Sequence, residues 1–277
     1  MPELPEVENT RRYLVQISLP GCRFTGVNIS WANTLKKPSL GELQQRLPGS
    51  RVESVQRRGK YLLLPLDTGA TFIVHLGMAG RLRVHPLGQA PPPHLRHSFP
   101  LDDGRELRFL DGRKFGKLWL VSDPQEALPT LGPEPLDPGF SAEDLALGLA
   151  GRQAPVKALL LEQWLVAGVG NLYADEALYL AGIHPLRPGS ELSGTEIGRL
   201  RDGIVAALSS ALAQYDRSRA EEWPDPPPAL ETWTIPRVKD ASCPRCGSTV
   251  ASMTVRARTT WYCPQCQPLS EGEGQAG

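Results

Sequence analysis

The stretch Lys60–Met78, KYLLLPLDTGATFIVHLGM, holds two short apolar runs split by Asp67, Thr68 and Gly69. Runs of this length, rich in Leu, Ile, Val and Phe and bounded by turn residues, read as strands joined by a tight turn. The rhythm continues through GRLRV, RELRFL and GKLWLV, so residues from about Arg51 to Leu120 predict an antiparallel sandwich or barrel rather than βαβ units. Upstream, apolar Leu4, Val7, Leu14 and Ile17 separated by charge predict an amphipathic helix from Pro5 to about Leu19. Downstream, TLGPEPLDPG (Thr130–Gly139) clusters Gly and Pro breakers and reads as a linker. Periodicity then becomes helical over Ser141–Leu149, Val156–Leu165, Leu172–Ala181 and Glu196–Ala213. The segment Tyr215–Thr232, YDRSRAEEWPDPPPALET, is too rich in proline for a regular element, and EGEGQAG at the end reads as a disordered tail.

A chain of 277 residues is long enough for two domains. Gly and Pro, 27 each, exceed ordinary usage and indicate a folded but loop-rich chain. A formal net charge of zero argues against a surface saturated with positive charge, while leaving local basic patches open. No apolar run approaches the roughly 20 residues of a membrane span, and no charged-then-apolar leader precedes a cleavage site. A soluble, cytoplasmic protein is expected.

Four of the five cysteines form CPRC (Cys243, Cys246) and CPQC (Cys263, Cys266), two C-x2-C pairs sixteen residues apart. That spacing presents four thiolates to a single structural Zn2+. Redox pairs or a disulfide framework would need a thioredoxin-like pattern or an oxidising compartment, and neither is indicated. Between the pairs, GSTVASMTVRARTTWY alternates like a β-hairpin around a Ser/Thr turn. From Ala241 to Ser270 there is no acid, while Arg245, Arg256 and Arg258 are present, a composition suited to a phosphate backbone. Cys22 reads as a small buried residue.

Other clusters carry possible chemistry. The N-terminal MPELPEVE places Pro5, Glu6 and Glu8 where a helix start favours proline and negative charge. QRRGKYLLL puts Arg57, Arg58 and Lys60 at a strand entry, Met78 lies in a glycine-flanked turn, and DGRKFGK sets Phe115 among Arg113, Lys114 and Lys117. A large apolar side chain on a basic turn suits insertion between nucleobases. GVGNLYADEAL, a glycine turn capped by Asn171 before a helix, suits a phosphate.

In combination and order, MPELPEVE, RRGKYLLL, HLGM, RKFG, LGPEPL, GVGNLYADEAL with AGIHP, and the finger with Arg258 five residues before Cys263 resemble the formamidopyrimidine-DNA glycosylases. The resemblance implies an α+β fold: an N-terminal helix and antiparallel β-sandwich (1–130), a linker (131–139), a helix–two-turn–helix domain (140–232), a four-cysteine zinc finger (233–268) and a tail (269–277). It implies a base-excision repair glycosylase and abasic-site lyase acting, as a monomer, on double-stranded DNA with a damaged base or abasic site, and no membrane partner. The catalytic residues it implies are Pro2 as nucleophile after removal of Met1, Glu3 as acid/base, Lys60 in base expulsion and Arg258 in δ-elimination. The DNA contacts it implies are Met78, His94, Arg113, Phe115, Asn171 and Arg258.

Two departures stand out. The region before the finger has no glycine between Gly203 and Gly247 and carries Glu221, Glu222 and Asp225 among prolines, where the family has a glycine-rich lesion-recognition loop. Gly112 stands where a proline is common, which would loosen the Arg113 turn. Altered lesion choice is therefore expected as one alternative. A non-catalytic binder of damaged DNA and a zinc-ribbon module unrelated to repair are the others.

Overall fold

The computed structural model describes residues 2–217 and 233–269, in two compact units, Met1–Pro129 and Thr130–Gly277. The stretch with Glu221, Glu222 and Asp225, expected to be the divergent loop, lies outside the described residues, as do residues 270–277 of the expected tail.

In the first unit, helix α1 (Leu4–Gln16), strands β1 (Asn28–Ile29) and β2 (Leu35–Lys37) and helix α2 (Leu40–Arg46) precede a run of seven strands. These are β3 (Gln56–Arg58), β4 (Tyr61–Pro65), β5 (Thr71–His75), β6 (Arg81–Pro86), β7 (Leu95–Pro100), β8 (Arg105–Leu110) and β9 (Lys117–Val121). One sheet runs β1-β7-β8-β6 and the other β2-β9-β5-β4-β3. Pairing is antiparallel except between β2 and β9, which run parallel. Leu62, Leu64, Phe72, Val74, Leu118 and Leu120 from the second sheet join Leu82, Phe99, Leu107 and Phe109 from the first in one buried core. On the other face of β4, β5 and β9, Leu63, Ile73, Trp119 and Val121 pack with Ala127 and Leu128. Both faces of these strands are covered, which is why YLLLP is apolar throughout instead of alternating.

Helix α1 stops three residues before the predicted Leu19. Ser18 enters the left-handed region (φ 57°) and the Leu19 N–H returns to the Leu14 carbonyl at 3.0 Å, a left-handed C-terminal stop. Leu19 is nevertheless fully buried, so the apolar stripe outlasts the helix.

The second unit holds α3 (Ala142–Leu149), α4 (Val156–Leu160), α5 (Asn171–Ala181), α6 (Gly194–Arg217) and the hairpin β10 (Ala251–Val255) and β11 (Arg258–Tyr262). Residues at the start of the expected linker bond within this unit: Gly132 N–H donates to the Gln163 carbonyl at 2.8 Å, and the Pro133 carbonyl accepts from Ala167 N–H at 3.0 Å. The helix expected over Val156–Leu165 ends at Leu160, because the following residues turn to make these bonds. Helix α6 is longer than predicted; Ser193 and Glu196 exchange hydrogen bonds at its start, a capping box. Gly203 lets α6 approach α5, since a Cβ there would lie 2.6 Å from the Ala177 carbonyl oxygen. The hairpin reverses at Arg256–Ala257, both with positive φ (48° and 57°), not at a Ser/Thr turn. Two left-handed residues give the type I′ geometry that matches strand twist.

Candidate active site and nucleic-acid interface

Pro2 and Glu3 lead directly into α1. Glu3 is 1% exposed, and its N–H donates to the Glu6 carboxylate at 2.8 Å, so Glu3 is held rather than frayed. Glu8, one and a half turns on, accepts from Arg57 at 3.2 Å, and Arg57 donates to the Gly59 carbonyl at 3.1 Å. Gly59 (φ 53°) precedes Lys60 in the turn between β3 and β4, and α1 packs on both strands. The chain Glu8–Arg57–Gly59 thus ties the helix carrying Pro2 and Glu3 to the turn carrying Lys60, itself 9% exposed. Burial pushes the Glu8 carboxyl up, but Arg11, Arg12 and Arg57 more than offset it and hold it below the usual range.

His75 belongs to the same region and was not singled out from sequence, although HLGM contains it. It is opposite Tyr61 on β4 and Lys117 on β9, and its Nδ1 accepts from Gly77 N–H at 3.2 Å, which leaves the proton on Nε2 in the neutral ring. Burial, then the charges of Lys117 and Lys60, push it down to about 4.

Met78, Arg113 and Phe115 come together at one end of the sandwich. The turn holding Met78 meets the turn holding Phe115 backbone to backbone, since a Cβ on Gly77 (φ 65°) would fall 2.5 Å from the Phe115 carbonyl carbon. Arg113 Nη1 lies 4.0 Å from Met78 Sδ, and Phe115 is 57% exposed. The residue that organises this turn is Asp111, which the sequence reading missed. It is 1% exposed, and its two oxygens accept from Arg113 N–H at 3.0 Å and Gly116 N–H at 2.8 Å. Gly112, expected to loosen the turn, is thus flanked by a carboxylate that closes it. His94 is exposed and left-handed (φ 65°); its carbonyl accepts from Asp111 N–H at 2.9 Å, which places it beside the same turn. Beneath, His97 stacks on Phe109 with centroids 5.6 Å apart.

In the second unit, Gly170 caps α5 and Asn171 is its first residue, so the expected Asn171 cap moves by one position. The Asn171 side chain reaches the finger instead: Nδ2 donates to the Thr259 carbonyl at 3.1 Å, next to Arg258. Gln163 staples the glycine turn, accepting from Gly168 N–H at 3.0 Å and donating to the Val169 carbonyl at 2.8 Å. Of the three arginines between Ala241 and Ser270, Arg245 donates to the Tyr179 carbonyl at 2.7 Å and Arg256 to the Ala158 carbonyl at 3.2 Å and to Glu162. Arg258 is exposed and has no side-chain partner among the described residues. Arg258 lies beside the N-terminus of an 11-residue helix, where an anion is favoured.

The four sulfurs of Cys243, Cys246, Cys263 and Cys266 lie within 4.8 Å of one another. Cys243–Cys266 and Cys246–Cys263 are 3.8 and 3.5 Å apart, and tetrahedral Zn–S bonds of about 2.3 Å require sulfurs about 3.8 Å apart. The set fits one structural zinc. Tyr179 Oη sits 3.2 Å from Cys243 Sγ and the Arg245 guanidinium lies over its ring at 4.3 Å, so α5 buttresses the knuckle.

Three family models match in chain order: the formamidopyrimidine-DNA glycosylase N-terminal domain over residues 1–118, the H2TH domain of the same enzymes over 131–221, and the zinc finger found in FPG and IleRS over 243–269. The chain belongs to the formamidopyrimidine-DNA glycosylase family. Formamidopyrimidine-DNA glycosylases of Roseiflexus sp. and Geobacter sulfurreducens are 41% and 42% identical over 273 residues, covering 96% of this chain and all of theirs. The Lactococcus lactis Fpg in complex with an abasic site containing DNA aligns with TM-score 0.88 at 30% identity, over 96% of this chain and all of that one. The MutM (Fpg) protein of Thermus thermophilus aligns with TM-score 0.83 at 37% identity, over 96% and 98%. The formamidopyrimidine-DNA glycosylases are bifunctional glycosylase and abasic-site lyases, and this chain is a DNA repair enzyme of that class. No helix among the described residues is long and apolar enough to cross a membrane.

Proposed function

We propose that this enzyme excises oxidised or ring-opened purines, with Pro2 as nucleophile, and then nicks the strand by β,δ-elimination. The observation that carries the reading is the buried Glu3 directly after Pro2 at the start of α1, on the helix that Glu8 and Arg57 tie to the Lys60 turn. Removal of Met1 would leave a secondary α-amine that titrates about two units below a lysine, and the start of a helix disfavours its protonation further.

The amine attacks C1′ as the glycosidic C–N bond breaks, and the base leaves with the electron pair and takes up a proton. Lys60 favours this departure by its charge, and Glu3 relays protons as the C1′–O4′ bond opens to give an iminium. The iminium acidifies C2′–H; loss of that proton breaks C3′–O3′ and releases the 3′ phosphate. Loss of C4′–H then breaks C5′–O5′ and releases the 5′ phosphate, and water returns Pro2 to the free amine. Asn171 and Arg258 hold phosphate, with Arg258 assisting the last step. Met78, Arg113 and Phe115 fill the space left by the extruded nucleotide, with His94 beside them.

The lesion classes follow the relatives: Lactococcus lactis Fpg has been solved with Fapy-dG containing DNA, and MutM with carbocyclic 8-oxo-G containing DNA. The acidic, glycine-free stretch before the finger favours altered preference among them, in a cytoplasmic enzyme. A panel of 8-oxoguanine, formamidopyrimidine and abasic duplexes tests both parts. Excision of a purine lesion, with a phosphate left at both ends of the gap, is expected. Binding without excision or nicking on every duplex would leave only the non-catalytic reading.

A further inference from the structure

Lys157 and Asp175 are both fully buried, with Lys157 Nζ 2.5 Å from Asp175 Oδ1. The function proposed above uses neither. A buried ion pair is a poor source of stability, because desolvating two charges offsets most of their attraction; its better-attested use is to fix register. Here the register is that of β11. Asp175 Oδ2 accepts from Trp261 N–H at 3.1 Å, Lys157 donates to Thr260 Oγ1 at 2.6 Å, and Asn171 donates to the Thr259 carbonyl at 3.1 Å. Three successive residues of the finger strand are thus each held by a polar side chain from α4 or α5. Arg237 braces Asp175 itself, donating to Oδ2 at 3.0 Å and to the Leu172 carbonyl at 2.8 Å.

Arg258 is the next residue in line, and a one-residue slip of β11 would turn its side chain to the other face of the hairpin. We propose that Asp175, acting through the Trp261 amide and through Lys157, is the positioning residue that sets Arg258 beside the phosphate-binding start of α5. It thereby controls how far the nicked product goes from β- to δ-elimination. The proposal rests on the Arg258 and Asn171 roles given above. Nothing in it requires Asp175 to touch DNA.

The test uses full-length, zinc-loaded enzyme on a duplex with a preformed abasic site, under single-turnover conditions. Total nicking, borohydride trapping and the ratio of 3′-phosphate to 3′-unsaturated aldehyde ends are read together. For Asp175→Asn, trapping and total nicking are expected to stay near wild type, while the δ-to-β ratio falls about tenfold, the effect of an unpaired buried donor on one step. Arg258→Ala is expected to lower the ratio at least as far. Thr260→Val, which removes the hydroxyl that accepts from Lys157 and itself donates to the Arg258 carbonyl at 3.3 Å, is expected to lower it about threefold and remains informative if Asp175→Asn loses zinc or unfolds. A wild-type ratio in both Asp175→Asn and Thr260→Val, with Arg258→Ala defective, overturns the inference alone. An unchanged ratio in Arg258→Ala overturns the Arg258 role and the inference with it.

Discussion

Replacing Glu8 with Gln removes a charge that three arginines share while keeping the side chain's length. The pair with Arg57 is nearly buried, with side-chain exposures of 11% and 10%, whereas Arg11 and Arg12 are each 30% exposed. Removing one member of a buried pair costs about 3–5 kcal/mol, and an amide that still accepts one hydrogen bond should recover about half of that. The more exposed pairs add at most about 0.5 kcal/mol after screening. A loss of about 2–2.5 kcal/mol corresponds to a Tm lowered by roughly 8–10 °C for a unit of this size. Circular dichroism melts at pH 7 would show it. Glu8 titrates below its ordinary value in the folded state, so its contribution is complete above the unfolded carboxyl pKa, about 4.3, and is lost as pH falls through the depressed native value. The difference between wild type and variant should accordingly shrink in acid. Because Arg57 holds the Gly59 carbonyl, base excision should also slow more than trapping at a preformed abasic site, which does not need Lys60 for base departure. An unchanged Tm at pH 7, or excision and trapping slowed equally, would contradict this role of the Glu8–Arg57 pair.

Other outcomes follow from single sites. Asp111→Ala leaves the buried Gly116 N–H without its acceptor and should cost about 2–3 kcal/mol; 2-aminopurine opposite the lesion should then report weaker insertion by the Phe115 turn, as it should in Phe115→Ala. Stripping zinc with a strong chelator, or Cys263→Ser, should abolish strand nicking and collapse near-UV ellipticity of the finger, with metal release followed by a colorimetric indicator. His97 is held neutral at about 4, chiefly by burial, with Asp111 opposing and Arg96 reinforcing the shift. The unfolded ring binds a proton near 6.5, so stability falls as pH drops from about 6.5 toward 4, by about 2 kcal/mol at pH 5; urea melts of His97→Leu should show a correspondingly flatter pH profile.

Much of the architecture was legible because its determinants are local. YLLLP and TFIVH announce strands, and CPRC with CPQC announces the metal site, from residue type and spacing alone. The short β1, β2 and α2 were missed; β1 and β2 are two or three residues long and are defined by pairing with distant β7 and β9. Asp111 and His75 were missed for a similar reason. An isolated Asp before a Gly reads as a turn residue, and only the fold reveals that both oxygens face inward to two N–H groups. The carbonyl partners of Arg245 and Arg256 on α5 and α4 were not legible either, because they lie far away in sequence. The Glu8 partnership is intermediate: MPELPEVE and RRGK each stand out, but nothing in either names the other.

The proposed chemistry turns on Pro2, the residue after Met1, as the nucleophile. Borohydride reduction of the enzyme on an abasic duplex, followed by proteolysis and mass spectrometry of the crosslinked peptide, tests it most directly. A deoxyribose-derived adduct on the N-terminal nitrogen of a peptide beginning at Pro2, absent from Pro2→Gly, is expected. An adduct on Lys60 or any other lysine, or a peptide that retains Met1, would contradict it.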